Sequence, residues 1–205
     1  TTNVHDPGVN MMNCGSVLFG RPTMGAWLSY GLGSENEDLR SFVVLPDHRG
    51  FASNGPKNWG SAFLPTHTQG TTIFPQRTNP IEDLHPHADY VTDESHGEGI
   101  DLVNRLNRMH QRSRPMDPRL DSRIRSYELA AKLQLSATQA LDLSDEPAYV
   151  HKMYGLENAG KKYPKNINPE EETEYFGRKC LIARRLIERG VRFVQIWSRN
   201  DNSFP

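Results

Sequence analysis

The chain has 205 residues, a formal net charge of −1 and a sequence pI of about 6.7. That balance gives no electrostatic footprint for nucleic acid or an acidic membrane surface, and no apolar run approaches the ~18 residues of a membrane-spanning helix. The two cysteines, Cys14 and Cys180, cannot build a disulfide framework.

A chain of this length usually makes one domain. A hydrophobic fraction of 36% with 14 prolines and 16 glycines is low for a self-contained α/β domain and fits a piece of a larger protein or one with long surface loops. No signal peptide is visible, but the chain opens on Thr1-Thr2-Asn3 rather than Met, as a processed protein or a fragment would.

In chain order, Asp6-Pro7 reads as a helix start, with Asp as cap and Pro in the first turn, and Gly15 ends the element. Thr23 caps a second short helix whose Met24, Trp27, Leu28 and Leu32 form an apolar stripe, and Gly33 stops it. Phe42-Val43-Val44-Leu45, closed by Pro46, is a short apolar run suited to a strand covered on both faces. Residues 47–58 read as a loop, and Thr71 to Phe74 as a strand. Residues 75–97, with three prolines, three histidines and no apolar period, read as one long irregular loop.

Helical pattern returns at Ile100, Val103, Leu106 and Met109. A further helix carries Leu120, Ile124, Tyr127, Ala131 and Leu135, and a shorter one, capped by Ser144, carries Tyr149, Val150 and Met153. The arginines at 105–125 and 184–192 have acidic neighbours and read as solvated faces. The clearest pair comes last: Phe176, Cys180, Ala183 and Ile187 stripe a long helix, Gly190 closes it, and residues 191–197 make an apolar strand. Its apolar content predicts an interior strand of a mostly parallel sheet shared with 42–45. It also predicts a large exposed apolar patch around this last helix and strand.

The wording of several segments is more specific than their periodicity. Gly20-Arg21-Pro22-Thr23-Met24-Gly25-Ala26-Trp27 through Leu45-Pro46 resembles the signature of a sulfatase-like family in the alkaline phosphatase superfamily, domain of unknown function 1501. Asn58-Trp59-Gly60-Ser61-Ala62-Phe63-Leu64-Pro65 with Gln69-Gly70, Ser126-Tyr127-Glu128-Leu129-Ala130, and Cys180 through Gln195 resemble the same family, in order, over nearly all the chain. The resemblance implies a partial alkaline-phosphatase-like α/β/α sandwich, truncated at both ends, with 1–205 as a fragment of one domain. It also implies a periplasmic or secreted parent.

Related superfamily members hydrolyse phosphate or sulfate esters with metal ions held by Asp and His, which neutralise the ester oxygens and align the attacking and leaving oxygens. The resemblance places those ligands outside this chain. A divalent metal ion is thus expected for the parent and none for this fragment alone, which should be inactive.

His5 is the leading candidate for a catalytic group, since it precedes a helix start where backbone N–H groups favour an anion; the plainer reading is a capping or loop histidine. Thr2 offers a hydroxyl in the same region. For substrate binding, Arg21 can hold an oxyanion bidentately or fix the loop before Pro22, and His67 can donate to a substrate oxygen or sit on an exposed loop. His85, His87, Asp89, Asp93, Glu94 and His96 have metal-like composition but no regular element to fix them, and read as a solvated loop.

Two functions follow as expectations. One is a fragment of a metal-dependent hydrolase acting on small-molecule or glycan sulfate or phosphate esters. The other is a non-catalytic exported protein that binds a sulfated or phosphorylated glycan.

Overall fold

The computed structural model describes residues 4–36, 39–48, 50–77, 80–81, 92–112, 124, 139–157 and 173–198. The fold is α/β. Strands β1 (Phe42–Leu45), β2 (Thr71–Thr72) and β3 (Phe193–Ile196) form an all-parallel sheet in the order β2-β1-β3. The register pairs Val43 with Thr71 on one side of β1 and Val43 with Val194 on the other.

All four β1 residues are buried, as a continuous apolar run requires of a central strand. Side chains alternate across a strand, and the core divides accordingly. Val43 and Leu45 pack with Leu181, Ile182, Leu186, Leu143 and Val150. Phe42 and Val44 pack with Trp59, and Phe193 lies against them. The expected interior placement of β3 does not hold among the described residues. There β3, like β2, is an outer strand, half-buried at every position, because its strand neighbour is β1 alone.

Helix α1 spans His5–Cys14 and α2 spans Met24–Leu32. The cap of α1 is Val4 rather than Asp6, and Gly15 ends it at φ 70°. Thr23 does precede α2, but its hydroxyl makes no cap and instead donates to Gly60 O at 3.3 Å, tying two loops together. The face of α2 is also corrected. Its buried residues are Gly25, Ala26 and Ser29, whereas Met24, Trp27 and Leu32 are exposed. The cause is close approach: a Cβ on Gly25 would stand 2.6 Å from the Phe42 ring, so only a small-residue face can lie on these aromatics. Ser41 and Ser29 hydroxyls bond at 2.7 Å beside it.

Helix α3 spans Asp93–Arg112, so it begins inside the segment 75–97 that the sequence presents as loop. Thr92 and Ser95 cap it reciprocally: Ser95 N–H donates to Thr92 Oγ1 at 3.2 Å and Thr92 N–H to Ser95 Oγ at 3.0 Å. Leu102, Val103, Leu106 and Met109 are exposed on it. The expected helix through Leu120 and Leu135 lies outside the described residues apart from Ile124, which is helical and buried. Helix α4 is Ala148–Met153, capped by Pro147 rather than Ser144, and buries only Val150.

Helix α5, Tyr175–Glu188, covers the Val43/Leu45 face. Its buried stripe is Lys179, Ile182, Ala183 and Leu186, with Leu181 and Arg185 alongside, whereas Phe176 and Ile187 are exposed. The stripe is rotated from its expected position because two long cationic side chains point inward. Arg185 is 5% exposed and is not on a solvated face. Its Nη1 donates to Glu146 Oε1 at 2.6 Å and Asp145 Oδ1 at 2.9 Å, and its Nε to Ala140 O at 3.2 Å. Arg184 Nη2 reaches both Glu146 oxygens at 2.6 and 2.7 Å.

The exposed apolar surface is also relocated. Phe193, Ile196 and Trp197 are half-buried, whereas Met11, Met12, Met24 and Trp27 line an open groove between α1 and α2. Among the described residues no helix is long and apolar enough to cross a membrane.

Two stability outcomes follow. Gly25→Leu should lower the unfolding free energy from urea titration by about 1–3 kcal/mol, because the ring contact leaves no room, while Met24→Ala on the exposed face stays within about 0.5 kcal/mol. Hydrogen bonds from Arg184 and then Arg185 hold the Glu146 carboxyl below its ordinary value. A depressed carboxyl contributes stability above its unfolded pKa and loses it as pH falls through the lower folded value. Urea midpoints should therefore drop below about pH 4 more steeply in the wild type than in Glu146→Gln. At neutral pH that variant should lose about 1–3 kcal/mol, since Arg185 stays buried with Asp145 as its remaining carboxylate.

Candidate functional site

In a parallel sheet the loops that follow the strands gather at one edge, and ligands bind there. Here β1 runs into Pro46-Asp47-His48, β2 into Ile73-Phe74, and β3 into Trp197-Ser198. Trp197 N–H donates to Leu45 O at 2.9 Å, carrying the pairing one residue past β3. Lys179, 3% exposed in α5, donates from Nζ to Pro46 O at 3.3 Å and Trp197 O at 2.5 Å. One ammonium thus holds the ends of two strands together.

Asp47 is 4% exposed and accepts Gly50 N–H at 3.1 Å through its backbone carbonyl in a tight turn. Its Oδ1 stands 3.4 Å from His48 Nδ1. The His48 ring stacks on Tyr175, the first residue of α5, with centroids 4.6 Å apart. Aromatic side chains wall the same edge: Phe51 meets Trp59 at 5.3 Å and Phe74 at 5.5 Å, and Trp59 meets Trp197 at 6.4 Å. The arrangement can orient an imidazole with a carboxylate beside a buried positive charge, which are the ingredients of proton transfer near a developing anion. Burial pushes the thiol of Cys180, next to Lys179, up from its ordinary value.

Helix α1 is bound to this side of the sheet by amides. Gln195 Nε2 donates to Asn13 Oδ1 at 2.8 Å, and Asn13 Nδ2 donates to Val9 O at 3.0 Å and Asn58 Oδ1 at 3.5 Å. Asn54 Nδ2 donates to Asp6 O at 2.8 Å, so the first turn of α1 is tied to the segment that follows β1. His5 opens that turn and is exposed. Thr2 lies outside the described residues.

Arg21 is exposed and lines a cleft of about 230 Å³ with Asn10, Phe19, Lys57 and Ala62, sharing no lining residue with the Asp47–His48 edge. His67 sits in a 3-10 turn, Thr66–Thr68, that precedes β2, and its carbonyl accepts from Arg40, which precedes β1, at 3.3 Å. It therefore lies at the amino edge, opposite His48. Burial lowers the Arg40 guanidinium from its ordinary value. The residues brought together at the carboxyl edge are Asp47, His48, Tyr175 and Lys179. Sequence reasoning missed all four, although Asp47-His48 directly after the Pro46 that closes β1 was a usable signal.

The chain matches the family described as a protein of unknown function, DUF1501, over residues 1–202. The chain belongs to this family. None of the curated proteins and none of the solved structures compared with it matches. Among the described residues no group of three His, Cys, Asp or Glu side chains converges, and Asp47 and His48 supply two donors. His85, His87 and Asp89 lie outside the described residues, and Glu94 is exposed on α3.

Lys179→Met should release the two strand ends. The expected outcome is a loss of about 1–3 kcal/mol with a red-shifted Trp emission as Trp197 opens to water. An unchanged spectrum and midpoint would mean that the ammonium does not hold the edge.

Proposed function

We propose that this DUF1501 chain is part of a hydrolase acting on sulfate or phosphate monoesters of small molecules or glycans. The supporting observation is buried Asp47 paired with half-buried His48, directly after the Pro46 carbonyl that Lys179 binds, at the carboxyl edge of a parallel sheet. In such a hydrolysis, water attacks phosphorus or sulfur, the bond from that atom to the ester oxygen breaks, and the leaving oxygen takes a proton. Asp47 orients the His48 ring, which carries a proton to or from the reacting oxygens. His5, at the open end of α1, is the further side chain that the resemblance offers near the reacting centre. The resemblance places the ligands of a divalent ion in the parent outside this chain.

The test is turnover of nitrophenyl sulfate and nitrophenyl phosphate by the full-length parent, with and without added divalent ions. His48→Ala should lower kcat by about 100-fold or more with KM little changed. Failure of the parent to turn over either ester, with retained binding of a sulfated or phosphorylated glycan, would replace this reading with that of a non-catalytic binding protein.

A further inference from the structure

Four arginines among the described residues are paired with carboxylates. Arg178, Arg184, Arg185 and Arg192 each have a carboxylate oxygen within 3.8 Å, supplied by Glu174, Glu146, Asp145 or Glu35. Arg21 and Lys57 differ. Both are exposed, both line the same 230 Å³ cleft, and neither has an ion pair with a carboxylate among the described residues. The cleft's other lining residues, Asn10, Phe19, Gly20, Gly60 and Ala62, are all uncharged.

The cleft is also built rather than loose. Its floor is Asn10, 4% exposed, whose Nδ2 donates to Ser16 O at 2.8 Å and so fixes the turn that leads to Arg21. One wall is Gly60, whose carbonyl accepts Thr23 N–H and Thr23 Oγ1, each at 3.3 Å. Lys57 does not point at random into water: its Nζ stands over the Phe19 ring, 4.9 Å from the centroid. Phe19 is half-exposed and acts as a platform that holds the ammonium at the rim. Ala62 adopts φ 48°, a conformation that costs a non-glycine residue free energy, at this same wall.

Two like charges gathered in one concave site repel each other unless an anion joins them. A guanidinium fork and an ammonium together match a tetrahedral oxyanion, the first bidentately and the second as a point charge. We infer that the cleft between α1 and the 3-10 turn Gly55–Trp59 binds a sulfate or phosphate group through Arg21 and Lys57, with Phe19 positioning Lys57. It is a recognition site separate from the Asp47–His48 edge, and it does not depend on whether the parent hydrolyses esters.

Binding is therefore measured without turnover, by calorimetry on the full chain with inorganic sulfate, inorganic phosphate and glucose 6-sulfate, at low and high salt. The expected result is saturable binding that weakens with salt, at least tenfold weaker in Arg21→Ala and in Lys57→Ala. Phe19→Ala should weaken it less, about threefold, since it removes only the platform. Both cations are exposed, so the variants should keep the wild-type urea midpoint, which is the control for folding. Tighter binding of the sugar sulfate than of either inorganic ion identifies an ester as the ligand, and equal binding identifies the free oxyanion. Absence of binding at tens of millimolar, or binding that both alanine variants retain in full, overturns the inference.

Discussion

The constraint on which this structure depends is that β1 must be covered on both faces. Four consecutive apolar residues cannot present one side to water. On one face the cover is α5, on the other α2 and the 3-10 turn that carries Trp59. The second face is the more demanding. Phe42 and Phe193 already fill it with rings 5.3 Å apart, so whatever lies on them must be nearly flat. Gly25 and Gly70 meet that demand. A Cβ on either would fall within 2.7 Å of a β1 side-chain atom. The orientation of α2, with its large residues turned outward, is thus a consequence of the sheet rather than of the helix.

The central unit was legible in the sequence because its signals were local. A cap position at Thr23, a stop at Gly33 and a strand closed by Pro46 all stand where the residues indicated. The parallel association of 42–45 with the last strand also followed from their apolar runs. Helix faces were not legible, for two different reasons. On α2, apolar side chains at helical spacing suggest a core stripe, but tight packing selected the small residues between them. On α5, the buried stripe begins at Lys179, and a lysine in a sequence is ordinarily assigned to water. The two carbonyls that receive its ammonium, at 3.3 and 2.5 Å, belong to strand ends far from it in sequence.

The candidate site was less legible than the fold. Arg21 was picked out by its wording, yet its partner Lys57 is 36 positions away and joins it only through the packing of α1 on the 3-10 turn. His67 and His48 look alike in sequence, as loop histidines next to short strands. They differ in whether they precede or follow a strand, and in a parallel sheet that places them at opposite edges. Asp47 and His48 were passed over because a Gly/Asn/Pro-rich stretch reads as a turn, and a turn is also what it is.

The outer position of β3 has a consequence of its own. Its far side carries backbone N–H and C=O groups that no described strand completes, over the four residues Phe193–Ile196. Such a margin is a template on which an extended segment can add itself through main-chain hydrogen bonds alone. Side chains alternate along it, so an added segment would find Phe193 and Gln195 on the α1–α2 side and Val194 and Ile196 on the α5 side. A newcomer with alternate apolar residues would extend both layers of the core at once. Whether that segment comes from the same polypeptide or another, it would meet a margin that no described strand completes, with two apolar layers already in register.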